Sequence, residues 1–263
     1  MREPVLAVVP ARLGSSRLPR KPLVDLLGRP LLQWVWERLE PMEGVFDRLV
    51  VATDSPEVMA LCEELGADCV LTDPSHPSGT DRVFEVADRP EFRPFPLVLN
   101  VQGDEPLVER EHLAAAVELV ASGSWDLATC ATPLGTHEAL ADPTVVKVAR
   151  AVDGRALYFS RAPIPHRRDG IPEPDALLGP PYLRHLGLYA YRREALARWV
   201  SLPPSPLEET ERLEQLRALE AGLSMGVAVV KEGAPGVDTA ADVVRMEEVL
   251  SRLGNASTHT DLS

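Results

Sequence analysis

The chain has 263 residues, and 45% of them are apolar, which is enough to bury the core of one large α/β domain. That composition excludes a mainly disordered chain and a small domain held together by disulfides. Twenty-seven basic residues against 40 acidic ones give a formal net charge of -13, which opposes non-specific binding to nucleic acid or to an anionic membrane surface. Any anionic ligand must therefore meet a local concentration of positive groups.

The cysteines and the N-terminal sequence indicate in which cellular compartment the protein is found. Cys62, Cys69 and Cys130 have no metal-ligand spacing and stand in apolar or helical stretches, as buried thiols do in a reducing cytoplasm. The apolar run that follows Pro4 is too short for a signal peptide, and no stretch approaches the ~20 apolar residues of a membrane span. We expect a cytoplasmic protein with neither a membrane nor a nucleic-acid partner.

The first half of the chain alternates short apolar runs with helical patterns. The apolar runs predict strands at Val5–Pro10, Leu49–Thr53, Asp68–Leu71 and Leu97–Gln102. The helical patterns predict helices at Leu31–Leu39, Pro56–Leu65 and Asp81–Ala87. Such alternation is typical of a Rossmann-like, mostly parallel sheet with helices on both faces. Ligands of these sheets bind in the loops after the carboxyl ends of the strands.

The second half is more mixed. It predicts helices at Glu111–Ala121, Arg193–Val200, Pro206–Ala221 and Ala240–Leu253. It predicts strands at Leu127–Thr132, Val145–Ala149, Ala156–Phe159, Arg184–Tyr191 and Met225–Val230. A proline-rich stretch over 163–181 has little periodicity and exceeds the usual loop length, so we expect it to be functional or mobile. No linker divides residues 1–254, which we interpret as a single domain, and the polar tail 255–263 is expected to fray.

The loop after the first strand concentrates positive charge. Between Pro4 and Val24 there are four cations and no acid, and one of the chain's three lysines, Lys21, is among them. Gly14, Ser15 and Ser16 let the backbone approach a ligand, and Arg12, Arg17 and Lys21 are suited to balancing a polyphosphate. The pattern is neither a Walker A loop nor a GxGxxG fingerprint. A merely solvated basic loop is the alternative interpretation.

Two aspartates follow predicted strands. Asp104, in the run from Asn100 to Leu107, would point into the ligand crevice, where a carboxylate can hold Mg²⁺ against substrate phosphates. The alternative is an ordinary aspartate in a turn. Asp238 opens the last predicted helix, so a simple N-cap is its alternative role.

Several runs, taken together, resemble one family. The early ones are Val9–Leu23, Ala52–Asp54, Ser78–Arg82 and Asn100–Pro106. The later ones are Val146–Val148, Ala156–Pro165, His185–Tyr191, Leu213–Arg217 and Gly236–Thr239. In this order, from about residue 5 to 250, they resemble the 3-deoxy-manno-octulosonate cytidylyltransferases, or CMP-Kdo synthetases, of the sugar nucleotidyltransferase superfamily.

The resemblance implies a nucleotidyl transfer. Such enzymes join CTP to the eight-carbon sugar acid Kdo, giving CMP-Kdo for lipopolysaccharide synthesis and releasing pyrophosphate, without a covalent enzyme intermediate. It implies Mg²⁺ held by Asp104 and Asp238, and catalytic roles for Arg12, Lys21 and Asp104. The nucleotide-binding residues that it implies are Ala11, Arg12, Ser15, Lys21, Ser78, Gly79 and Arg82. A plain N-capped helix start at Ser78 can coexist with that role.

The resemblance also implies a sugar site and a homodimer. The sugar-binding residues would be Arg161, His185, Tyr189, Glu214 and Gln215. Arg161 could pair the Kdo carboxylate bidentately, and His185 and Tyr189, four apart on a strand, would share one face. Ordinary packing is the alternative for Tyr189. The dimerisation and sugar-binding subregion would span about residues 155–191.

Two other functions stay open at this stage. A related cytidylyltransferase could act on another acid sugar, such as 8-amino-Kdo or a sialic acid, although Arg17-Leu18 replaces the Lys-Gly of the sialic acid enzymes. A non-catalytic nucleotide-sugar binding module is the second alternative. It would be expected to lose a metal ligand or the loop lysine, and Lys21, Asp104 and Asp238 are all present.

Overall fold

A nine-stranded sheet forms the centre of the fold in the computed structural model, which describes residues 2–14, 17–231 and 236–260, with side chains as far as residue 253. The strands within these ranges are β1 (Val5–Ala11), β2 (Asp25–Leu26), β3 (Arg29–Pro30), β4 (Arg48–Thr53), β5 (Cys69–Leu71), β6 (Leu97–Asn100), β7 (Leu127–Pro133), β8 (Lys147–Arg150), β9 (Ala156–Ser160), β10 (Leu183–Arg192) and β11 (Met225–Val229). The α-helices there are α1 (Leu31–Leu39), α2 (Pro56–Leu65), α3 (Gly79–Asp88), α4 (Arg110–Ala121), α5 (His137–Ala141), α6 (Arg193–Val200), α7 (Pro206–Glu211), α8 (Gln215–Glu220) and α9 (Ala240–Thr260).

The strand order of the main sheet is β11-β7-β10-β6-β1-β4-β5, with β8 and β9 branching from β10, while β2 and β3 form a separate pair. Strand β1 pairs in parallel with β4 and β6, and β11 pairs in parallel with β7. Strand β10 runs antiparallel to both β6 and β7, so its amino end lies at the edge where its neighbours end. The predicted α/β fold with a mostly parallel sheet and a smaller mixed region is confirmed.

Local signals explain why the first helices begin and end where the sequence predicted. Helix α2 starts at Ser55, whose hydroxyl accepts a hydrogen bond from the amide of Val58, with Pro56 in the first turn. It ends at Gly66, which has a φ of 67° in the left-handed region that glycine adopts without strain. Helices α1, α2 and α6 have the predicted bounds.

Strand β1 is buried on both faces, which is why it reads as a continuous apolar run. Val5, Ala7 and Val9 pack with α1, α2 and α4 in one core cluster. Leu6 and Val8 pack in a second cluster, with residues of α3, α6 and α8, on the opposite face. This rigid sandwich fixes the loop that follows β1.

The predicted helix over Pro206–Ala221 is wrong in one respect, because the structure divides it into α7 and α8. Arg212 adopts the left-handed conformation, with a φ of 55°, and ends α7. Neither glycine nor proline marks the break, so the sequence pattern runs through it. The consequence is a corner at 212–214 that faces the sheet edge.

The C-terminal region also differs from the expectation. Helix α9 continues to Thr260 instead of ending at Leu253, so residues 255–260 are helical and not a frayed tail. Gly254 weakens a helix by about 1 kcal/mol relative to alanine, and no proline follows to stop it. Residues 261–263 lie outside the described residues. The proline-rich stretch over 163–181 contains one short 3-10 helix, Pro174–Leu178, anchored by buried Leu177.

Buried Lys147 fixes the segment before β8. Its side chain is fully enclosed, and its ammonium donates to the carbonyls of Asp142, Val145 and Arg161 at 2.9, 2.7 and 2.6 Å. Burial lowers the pKa of Lys147. Val145 and Val146, predicted as strand, instead lie in a turn and a short loop before β8, where the Val145 amide donates to the Asp142 carbonyl at 3.2 Å. In the part of the chain that the structure describes, no helix is both long and apolar enough to cross a bilayer.

Candidate active site

A cleft of about 900 Å³ opens at the sheet edge where β1 and β6 end and β10 begins. Because parallel strands end at one edge, this is where the topology brings loops from distant parts of the sequence together. The predicted site residues that line the cleft are Ala11, Arg12, Lys21, Gly79, Arg82, Asp104, His185, Tyr189, Glu214, Gln215 and Asp238. The predicted Ser15 lies outside the described residues.

Lys21 joins the two predicted metal ligands. Its ammonium is hydrogen-bonded to a carboxylate oxygen of Asp104 and donates to Asp238 Oδ1 at 2.7 Å, while Arg17 Nη2 donates to the same Asp238 oxygen at 3.1 Å. Burial opposes the charge of Lys21, but the two carboxylates outweigh burial and raise its pKa. Burial raises the pKa of Asp104, against the opposing effect of Lys21. Two carboxylates 134 positions apart in sequence thus share one cation (238 − 104).

Backbone contacts place these two aspartates side by side. The amide of Val237 donates to the Asp104 carbonyl at 2.8 Å. The N-terminus of α9 is instead served by Thr239 and Asp242: the Thr239 hydroxyl accepts from the Asp242 amide, and Asp242 Oδ2 accepts from the Thr239 amide. The Asp238 carboxylate is therefore directed to Lys21 rather than used as an N-cap.

Gly103 allows the turn that carries Asp104 to lie against β1. A Cβ atom there would be 2.8 Å from the backbone oxygen of Pro10 and 3.5 Å from a methyl carbon of Val9. Since carbon and oxygen atoms do not approach so closely without displacement, any larger residue would push the Asp104 turn away from the end of β1.

The start of α3 forms one wall. The Ser78 hydroxyl caps the helix by accepting from the amides of Thr80 and Asp81, and it lies 3.1 Å from Glu214 Oε1. Gly79 and Arg82 line the cleft, whereas Ser78 does not. Arg82 is buried, donates to Asp54 Oδ2 at 2.7 Å and also contacts the Thr72 hydroxyl. Its guanidinium is therefore fixed in place.

His185 and Tyr189 lie together on one face of β10, as predicted. Their ring centroids are 5.5 Å apart despite a register shift between Leu186 and Tyr189. Burial lowers the pKa of His185 to about 3, so the imidazole is neutral. Its Nε2 is 2.9 Å from Thr129 Oγ1, whose own proton can go to the Leu188 carbonyl at 2.7 Å. We therefore assign Nε2 as a donor, which leaves Nδ1 as an acceptor.

Glu214 and Gln215 stand at the corner made by the break after α7. The Glu214 carboxylate accepts from the hydroxyls of Ser78 and Thr80, at 3.1 and 3.2 Å. Burial raises the pKa of Glu214, partly offset by these hydrogen bonds. The two walls of the cleft are thus joined directly.

Arg161 is not in the cleft. Its guanidinium donates to the carbonyls of Glu211, Pro143 and Arg212, at 2.8, 3.0 and 3.4 Å, on the far side of the corner. The expectation that it pairs with a ligand carboxylate is not supported by this position. The periodicity of β9 predicted that Arg161 follows a strand, but not which side of the α7–α8 corner its side chain would take.

Several cleft residues were not predicted. Arg184 and Arg212 add positive charge on the side of β10 and the corner, and Gln102 donates to the Gly187 carbonyl at 2.9 Å. Glu105 also lines the cleft, and burial, with the charge of Asp104, raises its pKa to about 8. Gln102 and Glu105 lie within two residues of Asp104, so the sequence run that indicated Asp104 as a site residue could also have indicated them. No sequence pattern marks Arg212, whose position depends on the left-handed break.

Known cytidylyltransferases resemble this chain over most of its length. A family model described as cytidylyltransferase matches residues 6–227. A 3-deoxy-manno-octulosonate cytidylyltransferase of Gemmatimonas aurantiaca is 53% identical over 98% of this chain and 95% of its own length. One of Chromohalobacter salexigens is 48% identical, over 94% of this chain and 96% of its own. The chain belongs to the 3-deoxy-manno-octulosonate cytidylyltransferase family.

The fold of a solved structure also supports membership in this family. It is described as CMP:2-keto-3-deoxy-manno-octonic acid synthetase complexed with CTP. It superposes with a TM-score of 0.85 at 36% identity, over 95% of this chain and 99% of its own. The resemblance drawn from the sequence is confirmed, and the protein is a nucleotidyltransferase.

Replacing Gly103 by alanine should damage the cleft more than the fold. The added methyl group must displace Pro10 or the Asp104 turn, and we expect a loss of at least about tenfold in turnover, because small misplacements of reacting groups are costly. The overpacking should cost about 1 to 3 kcal/mol of the free energy of unfolding. Steady-state kinetics and thermal melting measure both.

Gly179→Ala is the matched control for that variant. A Cβ at Gly179 meets nothing within 4 Å. Its φ of -173° is extended backbone that alanine adopts readily. Gly179→Ala should keep normal turnover. Normal turnover in Gly103→Ala as well would contradict the importance of the close approach to β1.

Proposed function

We propose that the chain transfers CMP from CTP to the anomeric hydroxyl of Kdo and releases pyrophosphate. The observation that carries the proposal is the joining of Lys21, Asp104 and Asp238 in a cleft that also contains arginines, in a chain whose relatives bear this activity in their names. In the reaction, the sugar oxygen forms a bond to the α-phosphorus. The bond from that phosphorus to the bridging oxygen of the pyrophosphate breaks, and the hydroxyl proton is released to solvent.

The charges of the cleft suit that reaction. Both substrates are anions, and Arg12, Arg17 and Lys21 line one end of the cleft in a protein whose net charge is -13. Charge-assisted hydrogen bonds from these groups would position the triphosphate and stabilise charge that develops on the leaving pyrophosphate. Arg184 on β10 and Arg212 at the corner after α7 also line the cleft. Since no nucleophilic side chain is needed, catalysis would rest on positioning and charge neutralisation.

The sugar would occupy the side of the cleft formed by β10 and the corner after α7. Neutral His185 offers an acceptor nitrogen, Gln215 an amide and Glu214 a carboxylate, which together match the hydroxyls of a sugar better than a second phosphate. Tyr189, buried beneath them, supplies an apolar face. Arg184, which lines the cleft, would balance the charge of the sugar carboxylate. The sequence had indicated Arg161 for that role.

We propose that Asp104 and Asp238 hold Mg²⁺. Lys21 lies between the two carboxylates, so they already converge on one cation, and aspartate oxygens are ligands that Mg²⁺ prefers. Among the described residues no group of three or more histidine, cysteine, aspartate or glutamate side chains forms a closed metal cage. Mg²⁺ commonly takes one or two carboxylates in enzyme sites, with phosphate oxygens and water as its other ligands. When bound, Mg²⁺ would neutralise phosphate charge.

The substrates are tested directly. Purified protein with CTP, Kdo and Mg²⁺ should release pyrophosphate, measured by a coupled phosphate assay, and should form CMP-Kdo. ATP, GTP or UTP should support much slower release. Equal rates with all four nucleotides would contradict the cytosine preference. Clean CTP binding without pyrophosphate release would instead favour a binding module, and faster turnover of 8-amino-Kdo than of Kdo would identify the other sugar.

The metal proposal predicts a specific defect in Asp104→Asn. Turnover should fall by about two orders of magnitude or more, because the amide keeps the shape but weakens cation binding. The wild-type melting temperature in the presence of CTP should rise with Mg²⁺, and that rise should be lost in the variant. Asp153→Asn, on an exposed turn, is the control and should behave as wild type. An unchanged Mg²⁺ response in Asp104→Asn would refute the assignment.

We propose a homodimer formed through the subregion around 155–191. Leu157, Ile171 and Leu178 are exposed by 50%, 76% and 64%, which leaves apolar surface for a partner copy to cover. Sedimentation equilibrium should give twice the 28.7 kDa chain mass. Ile171→Glu combined with Leu178→Glu should shift it towards the monomer. Val244→Glu, on α9, changes an equally exposed apolar residue elsewhere and should not; a monomeric wild type would refute the proposal.

We propose a cytoplasmic location on the basis of the thiols. Cys62, Cys69 and Cys130 are all free, and Cys62 and Cys130 are buried. Burial raises the pKa of Cys130 to about 12, which keeps the thiol protonated and unreactive. Buried free thiols are typical of proteins in reducing compartments.

A further inference from the structure

A buried hydroxyl on β7 lies against the part of β10 that carries His185. Thr129 is fully buried, and its Oγ1 is 2.9 Å from His185 Nε2. The same oxygen is 3.0 Å from the carbonyl oxygen of Leu186 and 2.7 Å from that of Leu188. His185 lines the cleft, whereas Thr129 does not. Any effect of Thr129 on a ligand must therefore pass through β10.

The Thr129 hydroxyl lies where the pairing of β10 with β7 is interrupted. Leu186 and Tyr189 pair with consecutive residues of β7, so the two residues between them, Gly187 and Leu188, form a bulge with no partner on that strand. The carbonyls of Leu186 and Leu188 both lie within hydrogen-bond distance of the hydroxyl. A side chain of β7 thus supplies a polar contact inside the bulge, where the backbone pairing is lost. The hydroxyl anchors β10 at this point.

The single proton of the Thr129 hydroxyl decides the direction of its hydrogen bonds. Carbonyl oxygens can only accept, so the proton goes to one of them, and the nearer is that of Leu188. A proton directed to His185 instead would leave both carbonyl oxygens facing lone pairs of Oγ1, at 2.7 and 3.0 Å. The hydroxyl oxygen therefore accepts from the imidazole, and Nε2 is the ring nitrogen that carries a proton.

The imidazole of His185 has only one proton to place. Burial lowers the pKa of His185 to about 3, so the ring is neutral, with one N–H donor and one bare acceptor nitrogen. Since Nε2 is the donor, Nδ1 is the acceptor, and it has no hydrogen bond to any residue that the structure describes. The ring also packs against Phe159 and Tyr189, with centroids 4.9 and 5.5 Å away. His185 thus brings an acceptor of fixed orientation to the cleft.

We propose that Thr129 is a positioning residue, whose hydroxyl fixes the tautomer and the orientation of His185 so that Nδ1 accepts a hydrogen bond from a hydroxyl of the acceptor sugar. The inference rests on the proposed function, because it takes a sugar hydroxyl as the partner of Nδ1. A bare nitrogen accepts from a hydroxyl, but an ionised carboxylate or phosphate oxygen has no proton to donate to it. The tautomer that Thr129 selects therefore favours a hydroxyl over an anionic group at this position.

The first test measures the tautomer by NMR in the ligand-free protein with isotope-labelled histidine. The chain has six histidines, so the His185 signals are assigned by their loss in His185→Asn. The wild type should have a protonated Nε2 and a bare Nδ1. Thr129→Val keeps the shape but removes the hydroxyl, and it should shift the proton towards Nδ1, because an Nε2–H that faces a methyl group is unpaired. A proton on Nδ1 in the wild type, or an unchanged tautomer in Thr129→Val, would overturn the inference.

The second test uses steady-state kinetics. Thr129→Val should raise the KM for Kdo roughly tenfold, as the loss of one hydrogen bond would, and should change the KM for CTP less than about twofold. Thr129→Ser retains the hydroxyl and should restore both the tautomer and the KM for Kdo. Equal rises in the two KM values, or no restoration by serine, would indicate a merely structural role and contradict the inference. No product from Kdo with the wild type would instead contradict the proposed function and leave the tautomer measurement intact.

Thr132→Val is the matched control. Thr132 is also fully buried, but its hydroxyl has no hydrogen-bond partner among the described residues. It lies three positions farther along β7, so its side chain is on the opposite face of the sheet from that of Thr129. The same chemical change there should alter neither the tautomer of His185 nor the KM for Kdo. A change as large as that in Thr129→Val would show that the effect does not come from the Thr129 hydroxyl, and would overturn the inference.

Discussion

One ammonium group holds together parts of the chain that the sequence separates widely. Lys21, in the loop after β1, contacts Asp104 after β6 and Asp238 before α9. Without that cation, two carboxylates would face each other in a partly buried cleft, and their repulsion would oppose the packing of both loops. The loop after β1, the Asp104 turn and the start of the last helix all meet at this cation. The rest of the sheet edge is arranged around this charge cluster.

The sheet supplies the geometry that makes such a cluster possible. Strands β1 and β6 are neighbours and end together, and antiparallel β10 brings its amino end to the same edge. A parallel sheet alone would place only strand ends there. The reversed strand adds His185 and the residues around it from the opposite chain direction. The cleft therefore combines the cationic loop after β1 with the rings of β10 and with Arg184 and Glu214.

Much of the fold could be predicted because its signals are local. The ends of α2 are marked in the sequence by Ser55, Pro56 and Gly66. The continuous apolar run of β1 indicates that this strand is buried on both faces. The α7–α8 break could not be predicted, since Arg212 takes a left-handed conformation that its residue type does not demand. The position of Arg161 outside the cleft could not be predicted for the same reason. Its guanidinium donates to the carbonyls of Glu211 and Arg212, at the corner that the break creates. Sequence motifs marked Asp104 and Lys21, and the structure brings these two residues together in the cleft. Arg184 and Arg212 have no motif, and their positions in the cleft depend on the fold of β10 and on the break after α7.

The hydrogen bonds from Ser78 and Thr80 to Glu214 have a consequence for how such a site can change. They join the helix start that carries Gly79 and Arg82 to the corner that carries Gln215. A mutation at this junction cannot adjust one compartment alone, because the same carboxylate supports both walls. Substitutions that change the shape of the cleft would therefore be tolerated more readily at positions that contact one wall than at Glu214. The junction therefore couples the two walls, so a substitution that moves one of them also moves the other.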